Sequence, residues 1–273
     1  LLPQSIGPLH EPLQRRLVAW MIRRARFTFV RERESLALLD ALGCGSKAVY
    51  APDMAFGMAG AEPGSARAIL DAAGLERLEP AYCVGVTAID WRGQSQAFAP
   101  QAAYEQALVE CIDQLTAEGA VVVLFAQCHS LMPAWDDRLV NQRLHASVRQ
   151  PERVLMINQV IMPELLQALY GQMDYFIGTR MHSVILATNA GVPALAIGYL
   201  YKSVGIMREL GLAQRCFDIA TVTSEQLLAG VAELRRQPER ETIERYVAQS
   251  RRFKRALRVL LPLSAKMCLF WSD

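Results

Sequence analysis

The chain has 273 residues, of which 52% are hydrophobic and 21% charged, with a formal net charge of +2. That length suits two domains of ordinary size, and the composition excludes a disordered or low-complexity chain. A net charge so small gives no argument for nucleic acid, and no run of 18 or more uninterrupted apolar residues suggests a membrane span.

The first residue is Leu, and the opening "LLPQSIGP" reads as a strand end entering a loop, so the N-terminal domain is expected to be incomplete in this chain. Residues 11–25 carry apolar positions at helical spacing, with Pro12 in the first turn where a missing N–H costs nothing. A short strand is predicted over 27–30, a helix over 32–42 ending at Gly43, and a strand over 47–51 closed by Pro52 and Asp53. Residues 59–80, rich in Ala, Gly, Glu and Pro, read as a connection holding one short helix.

From residue 82 the alternation restarts. Strands are predicted over 82–88, 120–126, 153–157, 173–177 and 192–198, and helices over 101–118, 136–148, 163–171, 181–190 and 204–210. Strand-length apolar runs between helical patterns imply a parallel sheet covered on both faces. Two further helices follow, over 223–236 and 241–261; the second has a stripe of Ile243, Tyr246, Val247, Phe253, Leu257, Leu260 and Leu261. Residues 235–258 hold nine Arg or Lys and three Glu, a local charge of +6.

The six cysteines show no close pairing, which reads as reduced thiols in a cytoplasmic protein. His129, His145 and His182 fall in separate elements without ligand spacing, so no metal and no cofactor is expected. Asp136 and Asp137 read as an exposed acidic helix start, favoured there by the helix dipole.

The stretch "GTRMHS" at 178–183 is the strongest chemical signal. It lies where a strand ends and a helix begins, and such a helix end offers N–H groups and a dipole that favour anions. Arg180 at this position is electrostatically disfavoured unless something negative meets it, and Lys202 follows the next strand toward the same edge. A ligand bearing carboxylate and phosphate would explain all three features. Residues 183–189 contain no carboxylate of the kind that would hold a nucleotide ribose, which disfavours a sugar nucleotide.

With "QSIGP" at 4–8, "VRERES" at 30–35, "APDMAF" at 51–56, "GTRMHS", "GVPALAI" at 191–197 and "YLYKSVG" at 199–205, the chain resembles the polysaccharide pyruvyl transferase family. The resemblance implies two Rossmann-like domains in a glycosyltransferase-B-like arrangement. It divides the chain into an acceptor-side domain over 1–80, a donor-side domain over 81–235, and basic helices over 236–273 packing at the junction. It implies transfer of a pyruvyl group from phosphoenolpyruvate to hydroxyls of a cell-surface polysaccharide or its lipid-linked precursor. His182 would be the general acid, with Arg180 and Lys202 binding the donor. Thr179, Ser183 and Tyr199 would line the donor side; Gln4, Ser35 and Asp53 would face the acceptor or serve as loop and cap hydrogen-bonders. The alternatives are a glycosyltransferase or sugar-nucleotide enzyme of the same fold, and a non-catalytic anion-binding paralogue in a polysaccharide assembly complex. The basic C-terminal helices raise the further expectation of contact with the inner face of a membrane.

Overall fold

The computed structural model describes residues 1–92, 100–199 and 201–260; for residues 201, 202 and 258–260 it describes the backbone alone. The chain opens with helix α1 (Pro12–Arg24), strand β1 (Thr28–Val30), helix α2 (Arg33–Ala41) and strand β2 (Ala48–Tyr50). β1 and β2 pair in parallel, Thr28 opposite Ala48, with α2 as the crossover. On the other edge of β1, the N–H of Phe29 donates to the carbonyl of Leu1 and that of Arg31 to the carbonyl of Gln4. Ala19, Ile22, Val30, Leu39 and Cys44 form the small core between these elements.

After helix α3 (Pro63–Ala72) come β3 (Cys83–Thr87), α4 (Gln101–Ala117), β4 (Val121–Phe125), α5 (Asp137–Ser147) and β5 (Val154–Ile157). The alternation continues through α6 (Pro163–Tyr170), β6 (Tyr175–Gly178), α7 (Met181–Asn189), β7 (Ala194–Gly198), α8 (Tyr201–Glu209) and β8 (Cys216–Asp218). Two helices close the described chain, α9 (Ser224–Arg236) and α10 (Arg240–Leu260).

Six parallel strands stand in the order β5-β4-β3-β6-β7-β8. The order reverses between β3 and β6, the doubly wound arrangement whose ligands bind beyond the strand carboxyl ends at that point. Alternate strand residues go to opposite faces: Val121, Val123 and Phe125 join one core, Val122 and Leu124 the other. The central strands are buried on both faces, which is why they read as continuous apolar runs in the sequence.

Three differences from the sequence expectation have physical causes. β8 was not anticipated, because Cys216, Phe217 and Asp218 carry no apolar run and sit partly exposed on the sheet edge. α8 begins at Tyr201, three residues before the predicted start. α3, expected with the N-terminal unit, buries Ala66 and Leu70 in the larger core with Leu169 of α6.

α10 touches both units. Ile243, Tyr246 and Val247 are buried against the large core. Phe253 meets Phe29 edge-on at 5.2 Å, the Tyr246 and Tyr50 hydroxyls are 3.1 Å apart, and Nζ of Lys254 donates to the carbonyl of Gly57. Leu257 is also buried, while the side chain of Leu260 and the whole of Leu261 lie outside the described residues.

Candidate functional site

A cavity of about 380 Å³ opens beyond the carboxyl ends of the central strands. Gln127 and Cys128 line it from the end of β4, Arg180, Met181 and His182 from the turn between β6 and α7, and Tyr199 and Ser203 from beyond β7. Arg31, just past β1, closes it from the smaller unit. Its size falls in the range of roughly 300–1,000 Å³ common for small-molecule sites. A larger groove of about 450 Å³ lies at the C-terminal end of α7 against α10, away from the strand ends.

The β6–α7 turn is built to be tight. A Cβ on Gly178 would lie 2.5 Å from Cγ2 of Val184 and 2.8 Å from Oγ of Ser183, so only glycine lets α7 approach the strand this closely. The Ser183 hydroxyl donates to the carbonyl of Arg180 and sits 2.7 Å from the Thr87 hydroxyl. The Thr179 hydroxyl pairs with that of Tyr104 at 2.7 Å. Both side chains are buried, so Thr179 and Ser183 hold the turn in shape and do not reach the cavity surface.

Arg180 occupies the N-cap of α7, and something negative does meet it: Asp137. Nη2 of Arg180 lies 2.6 Å from Oδ1 of Asp137, and Nε lies 3.2 Å from both carboxylate oxygens. This corrects two expectations. Asp136 and Asp137 are buried, not an exposed acidic start, and the charge of Arg180 has a protein partner without any ligand. Asp137 also accepts from the N–H groups of Cys128 and Gln127, pinning the loop after β4 across the cavity wall. Burial raises the Asp137 carboxyl, against the pull of the Arg180 guanidinium and those two N–H groups. Asp136 is tied to Arg138, whose guanidinium holds its carboxyl below the usual range.

His182 is the second residue of α7, exposed on the cavity lining. Tyr199 is half-buried beside Trp91, with ring centroids 4.5 Å apart; burial pushes its phenol up and the Arg180 charge opposes this. Lys202 lies in the first turn of α8 beyond β7, and its side chain falls outside the described residues.

The N-terminal motif residues separate. Nη1 of Arg31 lies 2.5 Å from Oδ2 of Asp53 and its Nε donates to the Ser5 hydroxyl, which in turn donates to buried Glu32. Asp53 also accepts the Ala55 N–H, a cap to the following turn. Ser35 is buried and bonds both backbone groups of Ile6. Gln4 is exposed and lines a different hollow of about 220 Å³ against α1. Asp53 therefore acts on the cavity through Arg31, Ser35 shapes a loop, and Gln4 is not brought to the cavity.

Arg31, Gln127, Cys128 and Asp137 were missed as candidates. The available signal was position: Arg31 and Gln127 each lie within two residues of a strand's carboxyl end. Two guanidiniums on facing walls, each fixed by a buried carboxylate, and the positive end of α7 suit capture of a multiply charged anion. Among the described residues no group of three His, Cys, Asp or Glu side chains could hold a metal ion.

The polysaccharide pyruvyl transferase family model matches residues 1–201. The amylovoran biosynthesis protein AmsJ of Erwinia amylovora is 26% identical over 250 residues, an alignment covering 85% of this chain and 56% of AmsJ. The chain thus spans little more than half the length of this curated relative. Among solved structures, a candidate UDP-N-acetylglucosamine 2-epimerase from Listeria monocytogenes aligns with a TM-score of 0.58 at 15% identity, over 97% of this chain and 65% of that one. Anabaena HepE, in complex with UDP-glucose, aligns with a TM-score of 0.51 at 12% identity, over 89% and 63%. At these identities the likeness is one of fold, and it agrees with parallel α/β sheets in a glycosyltransferase-B-like architecture.

Proposed function

The chain belongs to the polysaccharide pyruvyl transferase family, and on that premise we propose that it transfers a pyruvyl group from phosphoenolpyruvate to two hydroxyls of an exopolysaccharide unit. The observation that supports this most is the meeting of Arg180, His182 and Arg31 around one cavity at the switch point of the large sheet. Phosphoenolpyruvate is a small, multiply charged anion, and preorganised guanidiniums near a helix N-terminus stabilise such charge without reorganising during reaction.

His182 delivers a proton to the methylene carbon, which becomes a methyl group and leaves C2 electrophilic. One sugar hydroxyl then bonds to C2 and gives up its proton. The C2–O bond to phosphate breaks as a second hydroxyl closes the ketal ring. Of the two hydroxyl protons, one replaces that taken from His182 and the other leaves with the phosphate. Arg180, and Lys202 on the adjoining helix, hold the carboxylate and the departing phosphate. Arg31, positioned by Asp53, belongs to the unit on the acceptor side.

The sugar-nucleotide alternative draws on the shared fold alone, since α7 carries no carboxylate from Ser183 to Asn189. Thermal unfolding with phosphoenolpyruvate, UDP-glucose or no addition separates the two. The proposal expects stabilisation by phosphoenolpyruvate, reduced in Arg180→Lys. Stabilisation by UDP-glucose alone would overturn it.

A further inference from the structure

Helix α1 is apolar on two opposite sides. Ala19 and Ile22 face the small core, with Val18 packed beside them. Leu13, Leu17, Trp20 and Met21 point the other way and are 67%, 53%, 53% and 49% exposed. At spacings i, i+4, i+7 and i+8 they make one outward stripe. Single exposed apolar residues are ordinary, but a contiguous stripe containing Trp marks a surface that something covers.

The charge around the stripe says what kind of surface. Residues 12–26 contain Arg15, Arg16, Arg23, Arg24 and Arg26 and no Asp or Glu. All five arginines are exposed, and the guanidinium of Arg24 lies 4.3 Å over the Trp20 ring inside the stripe. A protein partner would need matched carboxylates along the apolar strip; an anionic lipid surface meets Arg16, Arg23 and Arg24, which lie within or beside the stripe, while Arg15 lies on the opposite side of the helix. α10 carries more arginines, but its apolar residues Ile243, Val247 and Leu257 are buried within the protein, so among the described side chains it offers charge without an exposed apolar stripe.

We propose that α1 is an interfacial helix that docks the protein on a bilayer containing anionic lipid. Leu13, Leu17, Trp20 and Met21 enter the boundary between headgroups and acyl chains, and Arg16, Arg23 and Arg24 meet lipid phosphates. Thirteen helical residues span about 20 Å, enough to lie along the surface. No described helix is long and apolar enough to cross a membrane.

The test uses the full chain with vesicles of phosphatidylcholine alone or mixed with phosphatidylglycerol, read by co-sedimentation. Binding is expected with the anionic vesicles and lost in the double variant Leu17→Glu/Trp20→Glu, whose circular dichroism should match the parent because both sites are exposed. Arg16→Gln and Arg23→Gln should each weaken binding roughly fivefold at low salt. Brominated lipid should quench tryptophan fluorescence in the parent and not in Trp20→Phe. Equal binding to both vesicle types, undiminished binding of the double variant, or quenching that survives Trp20→Phe would each overturn the proposal. So would a concentration-dependent dimer abolished by Leu17→Glu, which would assign the stripe to a second copy.

Discussion

Replacing Asp137 by Asn keeps the shape of the side chain and removes the charge that fixes Arg180. The carboxylate is fully buried and accepts from Nη2 and Nε of Arg180, from Cys128 at 2.9 Å and from Gln127 at 3.2 Å. An amide oxygen can still accept from the backbone, but its NH₂ group is turned toward the guanidinium or toward an N–H donor. Breaking one side of a buried ion pair costs roughly 3–5 kcal/mol. Arg180 keeps 13% of its side-chain surface on the cavity side, where water can solvate it, which argues for about 3 kcal/mol, the lower end. With an unfolding entropy of about 2.1 cal/mol/K per residue, 273 residues give about 570 cal/mol/K, so Tm should fall by about 5 °C. Calorimetric melting measures this directly. A double-mutant cycle with Arg180→Met should recover a coupling of at least about 1 kcal/mol between the two sites. A melting point unchanged within 1 °C, or additive single effects, would refute the reading of Asp137 as the residue that holds Arg180; the 1 °C margin corresponds to roughly 0.6 kcal/mol on the same scale.

His182→Ala should lower acceptor-dependent phosphate release from phosphoenolpyruvate by roughly 10²–10⁴-fold while the melting point stays near the parent's, because the side chain is exposed; near-normal turnover would remove it from the chemistry. Gly178→Ala places a methyl 2.5 Å from Val184 and should destabilise by about 1–3 kcal/mol in urea titration, with parental stability contradicting the tight-turn account. Asp136 has a folded pKa depressed by Arg138, so its contribution to stability is present above the ordinary carboxylate range and is lost as pH falls through the folded value. In Asp136→Asn that contribution is absent throughout, so the stability gap to the parent should narrow from about pH 5 toward pH 2; a constant gap would show the charge to be irrelevant.

The strand and helix alternation was legible because a parallel sheet buried on both faces writes its strands as unbroken apolar runs such as Val121–Phe125. β8 was not, since an edge strand of three partly exposed residues has no such run. In the cavity, Arg180 and His182 stood out as cationic or protonatable groups at a strand end. Asp137 did not: an acid in the first turn of a helix looks the same in sequence whether it faces water or a buried guanidinium. Thr179 and Ser183 neighbour the cavity-lining residues in the chain, but their hydroxyls point into the turn, toward Tyr104 and Thr87, which sequence spacing cannot reveal.

α10 grips the large unit through Ile243, Tyr246 and Val247 and, farther along, the small unit through Phe253, which meets Phe29. A helix advances by about 100° per residue, so the phase between those two grips is set by the number of residues separating them. One residue inserted between Val247 and Phe253 would force the helix to release one unit in order to keep the other. The span between Arg31 and Arg180 is in this sense gauged by a helix that lines neither wall of the cavity, and length changes there should be felt across the site as strongly as substitutions inside it.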